Sequence, residues 1–156
     1  MKKIGYIFAT LIILGVAVWW IASSIDEAKR RPTRLICANN LHQIGRAAEL
    51  YESDHTNKMQ SFQALKDTNG VFYINQPKLF ICPHSGNKPG ELSNVDKWTD
   101  YKVISGLTTA SPPEAVVAFC PPQNHGGKGG NILYNDGSVI WANATDFWKL
   151  VKQSKQ

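Results

Sequence analysis

Two lysines followed by an almost unbroken apolar run from Ile4 to Ile25 constrain this chain more than any other feature. An α-helix rises about 1.5 Å per residue, so some twenty apolar residues match the ~30 Å hydrocarbon layer of a bilayer. Tyr6 near one end and Trp19 and Trp20 near the other suit the two headgroup regions. The run therefore predicts an N-terminal membrane anchor over residues 1–25. The competing reading is a cleaved secretory signal, with Ala22-Ser23-Ser24 as small residues for a peptidase. Signal h-regions run about 7–15 residues, and this run is longer, so the retained anchor is favoured. Either reading places the remaining residues outside the cytoplasm.

About 130 residues follow the anchor, enough for one domain with its own core. Of the net charge of +5, six basic residues (Lys2, Lys3, Lys29, Arg30, Arg31, Arg34) against Asp26 and Glu27 leave +4 in the first 34 residues and +1 beyond. The basic excess flanks the apolar run, where anionic headgroups attract it. A nucleic-acid partner, which needs a basic face on the folded domain, is not indicated. Two Lys/Arg precede the run and four follow it, which by the positive-inside rule favours an external N-terminus. Cys37, Cys82 and Cys120 are too widely spaced for a CxxC motif. In an oxidising compartment two of them can pair, and spacing does not say which.

Residues 26–55 read as a basic arm and an amphipathic helix. Cys37, Leu41, Ile44, Ala48 and Tyr51 recur at steps of four and three and share a face; Asn39, Asn40, Gln43, Arg46 and Glu49 fall elsewhere around it. Pro32 either opens this helix or kinks a longer one. Cys37 lies on the apolar seam, which predicts a buried structural role. From Thr56 to residue 156 the period changes to strand-sized stretches: Val71–Ile74, Leu79–Cys82, Tyr101–Ile104, Val116–Cys120, Ile132–Tyr134 and Val139–Trp141. Asn135-Asp136-Gly137 between two apolar arms is a hairpin signal, and Asp146–Lys152 reads as a short closing helix or turn. The expectation is an α+β fold, one long helix laid on a small antiparallel sheet.

His125-Gly126-Gly127 and the following Gly pair draw attention as a candidate site. A His-Gly-Gly oxyanion loop belongs with a GxSxG elbow, and none is present. The loop lacks the Lys-Ser/Thr ending of a phosphate cradle. His125, Asp136 and His84 show no recognised metal-ligand spacing, so no metal or catalytic residue is assigned. The favoured role is structural: His125 bonds to Asp136 or to a backbone carbonyl and pins the Gly-rich loop onto the hairpin. Asp96 and Asp100 flank Trp98, and Asn135 with Asp136 offers further oxygens, but no EF-hand spacing supports calcium. Trp98, Trp141 and Trp148 read as core aromatics ahead of a binding surface.

Three blocks together resemble bacterial prepilin-like, type II secretion pseudopilin-related proteins with a C-terminal His…Asp-Gly motif. They are KRRPTRLICANNLHQIGRAAELYESD, Cys82-Pro83 after an apolar strand, and YKVISGLTTASPPEAVVAFCPPQNHGGKGGNILYNDGSVIW. The resemblance covers roughly 100 residues. It implies a pilin-like fold, a single-pass bacterial inner-membrane protein with an internal N-terminus, against the Lys/Arg count, and a head in the periplasm or outside. It further implies a Cys37–Cys82 disulfide with Cys120 left over, a structural motif of His125, Gly126, Gly127, Asp136 and Gly137, and Gly5-Tyr6 as a processing site. Two departures stand out. Thr10 occupies the place where prepilins carry Glu, and ten residues rather than nine separate His125 from Asp136. The leading expectation is a non-enzymatic, membrane-anchored subunit of a type II secretion or type IV pilus-like assembly, partnered by the membrane and by similar subunits, without a cofactor. The alternatives are a standalone anchored periplasmic binding module and a metal-dependent enzyme using His125 and Asp136.

Overall fold

The computed structural model describes the backbone of residues 2–153 and the side chains of residues 12–25, 28 and 31–153. The chain divides into two compact units, Met1–Pro32 and Thr33–Gln156. Helix α1 spans Lys2–His55, with Pro32 inside it rather than at the first turn of a separate helix.

In the first unit, the large apolar side chains from Ile12 to Ile25 are exposed. Among the described residues, no helix is long and apolar enough to cross a membrane. The anchor expected over Ile4–Ile25 lies partly outside them, as do the side chains of Gly5 and Tyr6.

The second unit is mixed helix and sheet. Strands β1 (Lys102–Val103), β2 (Val116–Phe119), β3 (Gly129–Tyr134) and β4 (Val139–Asn143) form one antiparallel sheet in the order β1-β2-β3-β4, and helix α2 (Ala144–Gln153) follows. The α+β expectation holds at this level. The hairpin forms where its turn residues stand. Tyr134 N–H donates to the Ser138 carbonyl at 2.9 Å, Gly137 N–H donates to the Tyr134 carbonyl at 3.0 Å, and Gly137 takes φ 80°. Asn143 caps α2, its Oδ1 accepting from the amides of Thr145 and Asp146, each at 3.0 Å.

The sheet has two covered faces. Cys37, Leu41, Ile44, Ala47 and Ala48 of α1 pack with Val117, Ala118, Cys120 and Leu133. Phe147 and Val151 of α2 pack with Val116, Phe119, Ile132 and Ala142. A register shift between Val116 and Ala118 puts both Val117 and Ala118 against α1. Beyond it, Phe119 faces α2 and Cys120 faces α1, the alternation that a pleated strand imposes.

Three sequence expectations differ from this architecture. Leu79–Cys82 is not a strand, because Pro77 opens a 3-10 turn over Pro77–Phe80. Val71–Ile74 contributes only an isolated bridge, Lys66 to Phe72. Asn40, assigned away from the apolar face, is buried, its amide donating to the Ile81 carbonyl at 3.2 Å and to Tyr101 Oη at 3.3 Å. Position 40 lies within one helical step of Cys37 and Ile44, so the buried face is wider than the apolar seam.

Candidate metal centre

Four segments of the chain deliver their polar side chains to one place between α1 and the sheet. Cys37 comes from the buried face of α1, Cys82 from the end of the 3-10 turn Pro77–Phe80, and Cys120 from the end of β2. His125 comes from the 3-10 turn Pro122–His125. Pro122 suits the first position of that turn, where no amide donor is needed, and Gly126 ends it in the left-handed region at φ 64°. The thiol sulfurs and an imidazole nitrogen of the four residues lie within 4.8 Å of one another. His125 Nε2 stands 3.6 Å from Cys82 Sγ. The three cysteines are fully buried and His125 is 3% exposed.

A surrounding layer holds these groups in place. Asp100, itself buried, accepts from the Cys82 amide at 2.8 Å, from Asn87 Nδ2 at 2.7 Å and from the Ser85 hydroxyl, fixing the Cys82–Asn87 loop. Asn124 Nδ2 donates to the Asp100 carbonyl at 2.9 Å and to Cys120 Sγ at 3.5 Å. Asn131 Nδ2 donates to the Arg34 carbonyl at 3.0 Å, tying β3 to α1. Trp141 meets His125 edge-on at 5.0 Å, Arg34 lies 4.4 Å over the Trp141 ring, and His84 stacks on His125 at 6.0 Å. Gly130 permits the close packing of β3, since a Cβ there would stand 2.1 Å from the Cys120 carbonyl oxygen and 2.6 Å from Phe147.

The thiols are electrostatically unequal. Hydrogen bonds from Cys120 and then Cys82 pull the Cys37 thiol down to about 4, against the opposing effect of burial. Burial, followed by hydrogen bonding with Cys37, pushes the Cys120 thiol far up. The two shifts oppose each other because the sulfurs share hydrogen bonds and crowd together, so a charge on one resists a charge on the next. Burial and then the neighbouring Cys37 charge raise the Tyr101 phenol as well.

The structure brings together only part of the sequence-derived motif. His125 and Asp136 do not meet, because β3 separates the turn ending in His125 from the hairpin carrying Asp136. Asp136 is exposed and its Oδ1 accepts from the Ser138 amide at 2.9 Å; the Ser138 side chain and then this amide hold its carboxyl below the usual range. Of the two expected partners for His125, Asp136 or a backbone carbonyl, Asp136 is out of reach, and His125 meets Cys82 and Trp141. Asp96 accepts from the amides of Phe62 and Gln63 at 2.9 and 3.1 Å, so it serves as a loop organiser.

All three cysteines are free thiols. Cys37 and Cys82, the pair that the resemblance implies as a bridge, share one cluster with Cys120 and His125. Cys120, left over in the sequence reading, is a full member of the group. Its separation from His125, a Cys followed by four residues and a His, is the only local trace of the site in the sequence. No protein-family model, curated protein or solved structure matches the chain.

Proposed function

We propose that the chain is a non-enzymatic, membrane-anchored, pseudopilin-like subunit whose head lies outside the cytoplasm. One observation carries this reading. Nine large apolar side chains between Ile12 and Ile25, including Trp19 and Trp20, are each 50–71% exposed. Water does not tolerate a continuous apolar surface of this kind, so it belongs in lipid or against similar helices. The basic residues just beyond it suit anionic headgroups. The helix that follows lays a buried face on an antiparallel sheet, in keeping with a small head built on a long N-terminal helix.

The test is fractionation of native membranes followed by mass spectrometry of the mature N-terminus. Retention in the membrane pellet after alkaline carbonate washing, with a methylated Tyr6 as the first residue, supports the pseudopilin-like assignment. Full-length protein recovered dissolved in cytosol overturns the anchor. The second reading, a standalone anchored binding module, is favoured by Thr10 in place of the prepilin Glu. A membrane-retained protein that still begins at Met1 selects it.

A further inference from the structure

We propose that Cys37, Cys82, Cys120 and His125 are the ligands of a closed, tetrahedral, structural Zn2+ site that joins α1 to the sheet. The donor set is the first reason. Three thiols and one imidazole are among the combinations that bind structural zinc, with Zn–S about 2.3 Å and Zn–N about 2.0–2.1 Å. A tetrahedron with those bonds has a sulfur–nitrogen edge of about 3.6 Å and sulfur–sulfur edges of about 3.8 Å. The observed Cys82 Sγ to His125 Nε2 separation is 3.6 Å, and every donor pair lies within 4.8 Å.

Burial is the second reason. Four protein donors, none more than 3% exposed, leave no open position for substrate, which is the mark of a structural rather than a catalytic zinc. A disulfide would use two of the sulfurs and strand a buried thiol and imidazole beside it; one ion satisfies all four donors.

The chemistry balances without an oxidant. Zn2+ joins three thiolates and a neutral imidazole, the thiol protons pass to the buffer, and two positive charges against three negative leave a single net negative charge. A donor already faces it: Asn124 Nδ2 points at Cys120 Sγ at 3.5 Å. The site does not depend on the anchored, pseudopilin-like reading, since all four ligands lie in the second compact unit.

The test uses the full chain in non-ionic detergent, purified with a reductant and without chelators. Elemental analysis should find about one zinc per chain. Replacement by Co2+ should give the intense visible bands of a tetrahedral cobalt thiolate, with sulfur-to-cobalt charge transfer corresponding to three thiolates. Cys120→Ser and His125→Ala should each lose the ion, whereas His84→Ala, altering a stacked neighbour outside the donor set, should retain it. Asn124→Ala should weaken zinc binding about 10–100-fold and leave the cobalt spectrum tetrahedral. Should the ligand variants not fold, the wild-type cobalt spectrum still decides. Reduced wild-type protein that takes up no zinc and gives no tetrahedral cobalt spectrum, or one with fewer than three thiolates, overturns the proposal. So does peptide mapping after alkylation at lysis that finds Cys37 joined to Cys82. Either result leaves the membrane assignment standing, because that rests on fractionation.

Discussion

The two faces of the sheet are held by different physics. Against α2 the contact is hydrocarbon throughout: Ile104, Val116, Phe119, Ile132, Ala142, Phe147 and Val151. Phe119 meets Phe147 edge-on at 5.6 Å and Trp148 at 6.0 Å. Each such large side chain contributes about 1.5–3 kcal/mol by leaving water, without needing a particular partner atom. Against α1, apolar residues are interleaved with Cys37, Cys82, Cys120 and His125. The four buried polar or charged side chains among the described residues, Asn40, Asp100, His125 and Asn131, are all tied to this side. A buried polar group costs about 1–3 kcal/mol when left unpaired, so this face is stable only while its donors and acceptors are matched. The α2 face tolerates approximate packing; the α1 face demands a specific constellation.

The largest effect should come from removing the ion. Chelation of the purified full chain should lower its denaturation midpoint by more than any single substitution below, because binding energy at a structural zinc site is folding energy. An unchanged melting curve would show that the α1 face needs no metal. Phe147→Ala should cost about 3–5 kcal/mol in denaturant titrations while zinc content stays at the wild-type value. Loss of zinc in that folded variant would mean the two faces are one cooperative unit, and the contrast would dissolve. Asp100→Ala should cost about 1–3 kcal/mol by orphaning the Cys82 amide, and should speed zinc release to a colorimetric chelator. Smallest, Gly137→Ala should cost about 1 kcal/mol, since φ is 80° there and a Cβ would stand 3.1 Å from Glu49 Oε1. It should leave zinc affinity untouched, because the hairpin turn lies at the far end of β3.

Local features of the fold were legible wherever one short stretch carried the whole signal. Of the predicted seam, Cys37, Leu41, Ile44 and Ala48 are buried and Tyr51 is half-buried. Asn135-Asp136-Gly137 forms the turn between β3 and β4, and α2 covers the expected Asp146–Lys152. Legibility failed where the environment overrode the pattern. Leu79–Cys82 has strand composition, yet Pro77 begins a 3-10 turn that aims Cys82 inward. Asn40 is polar, yet the Ile81 carbonyl and the Tyr101 hydroxyl make its burial favourable. Asp136 was one of two expected partners for His125, but the residues between them include the extended strand β3, which holds the two apart.

The order of residues alone determined the apolar run at the N-terminus, the helical seam that follows and the β3–β4 hairpin, since periodicity and turn chemistry act over a few neighbours. Only the tertiary structure decided that three cysteines and a histidine share one buried site, and that Cys120 belongs to it. Cys82 and His125 are 43 residues apart; their meeting depends on the strand register, the shift in β2 and the docking of α1. Those are long-range consequences of burying two faces of one sheet, and no local spacing encodes them.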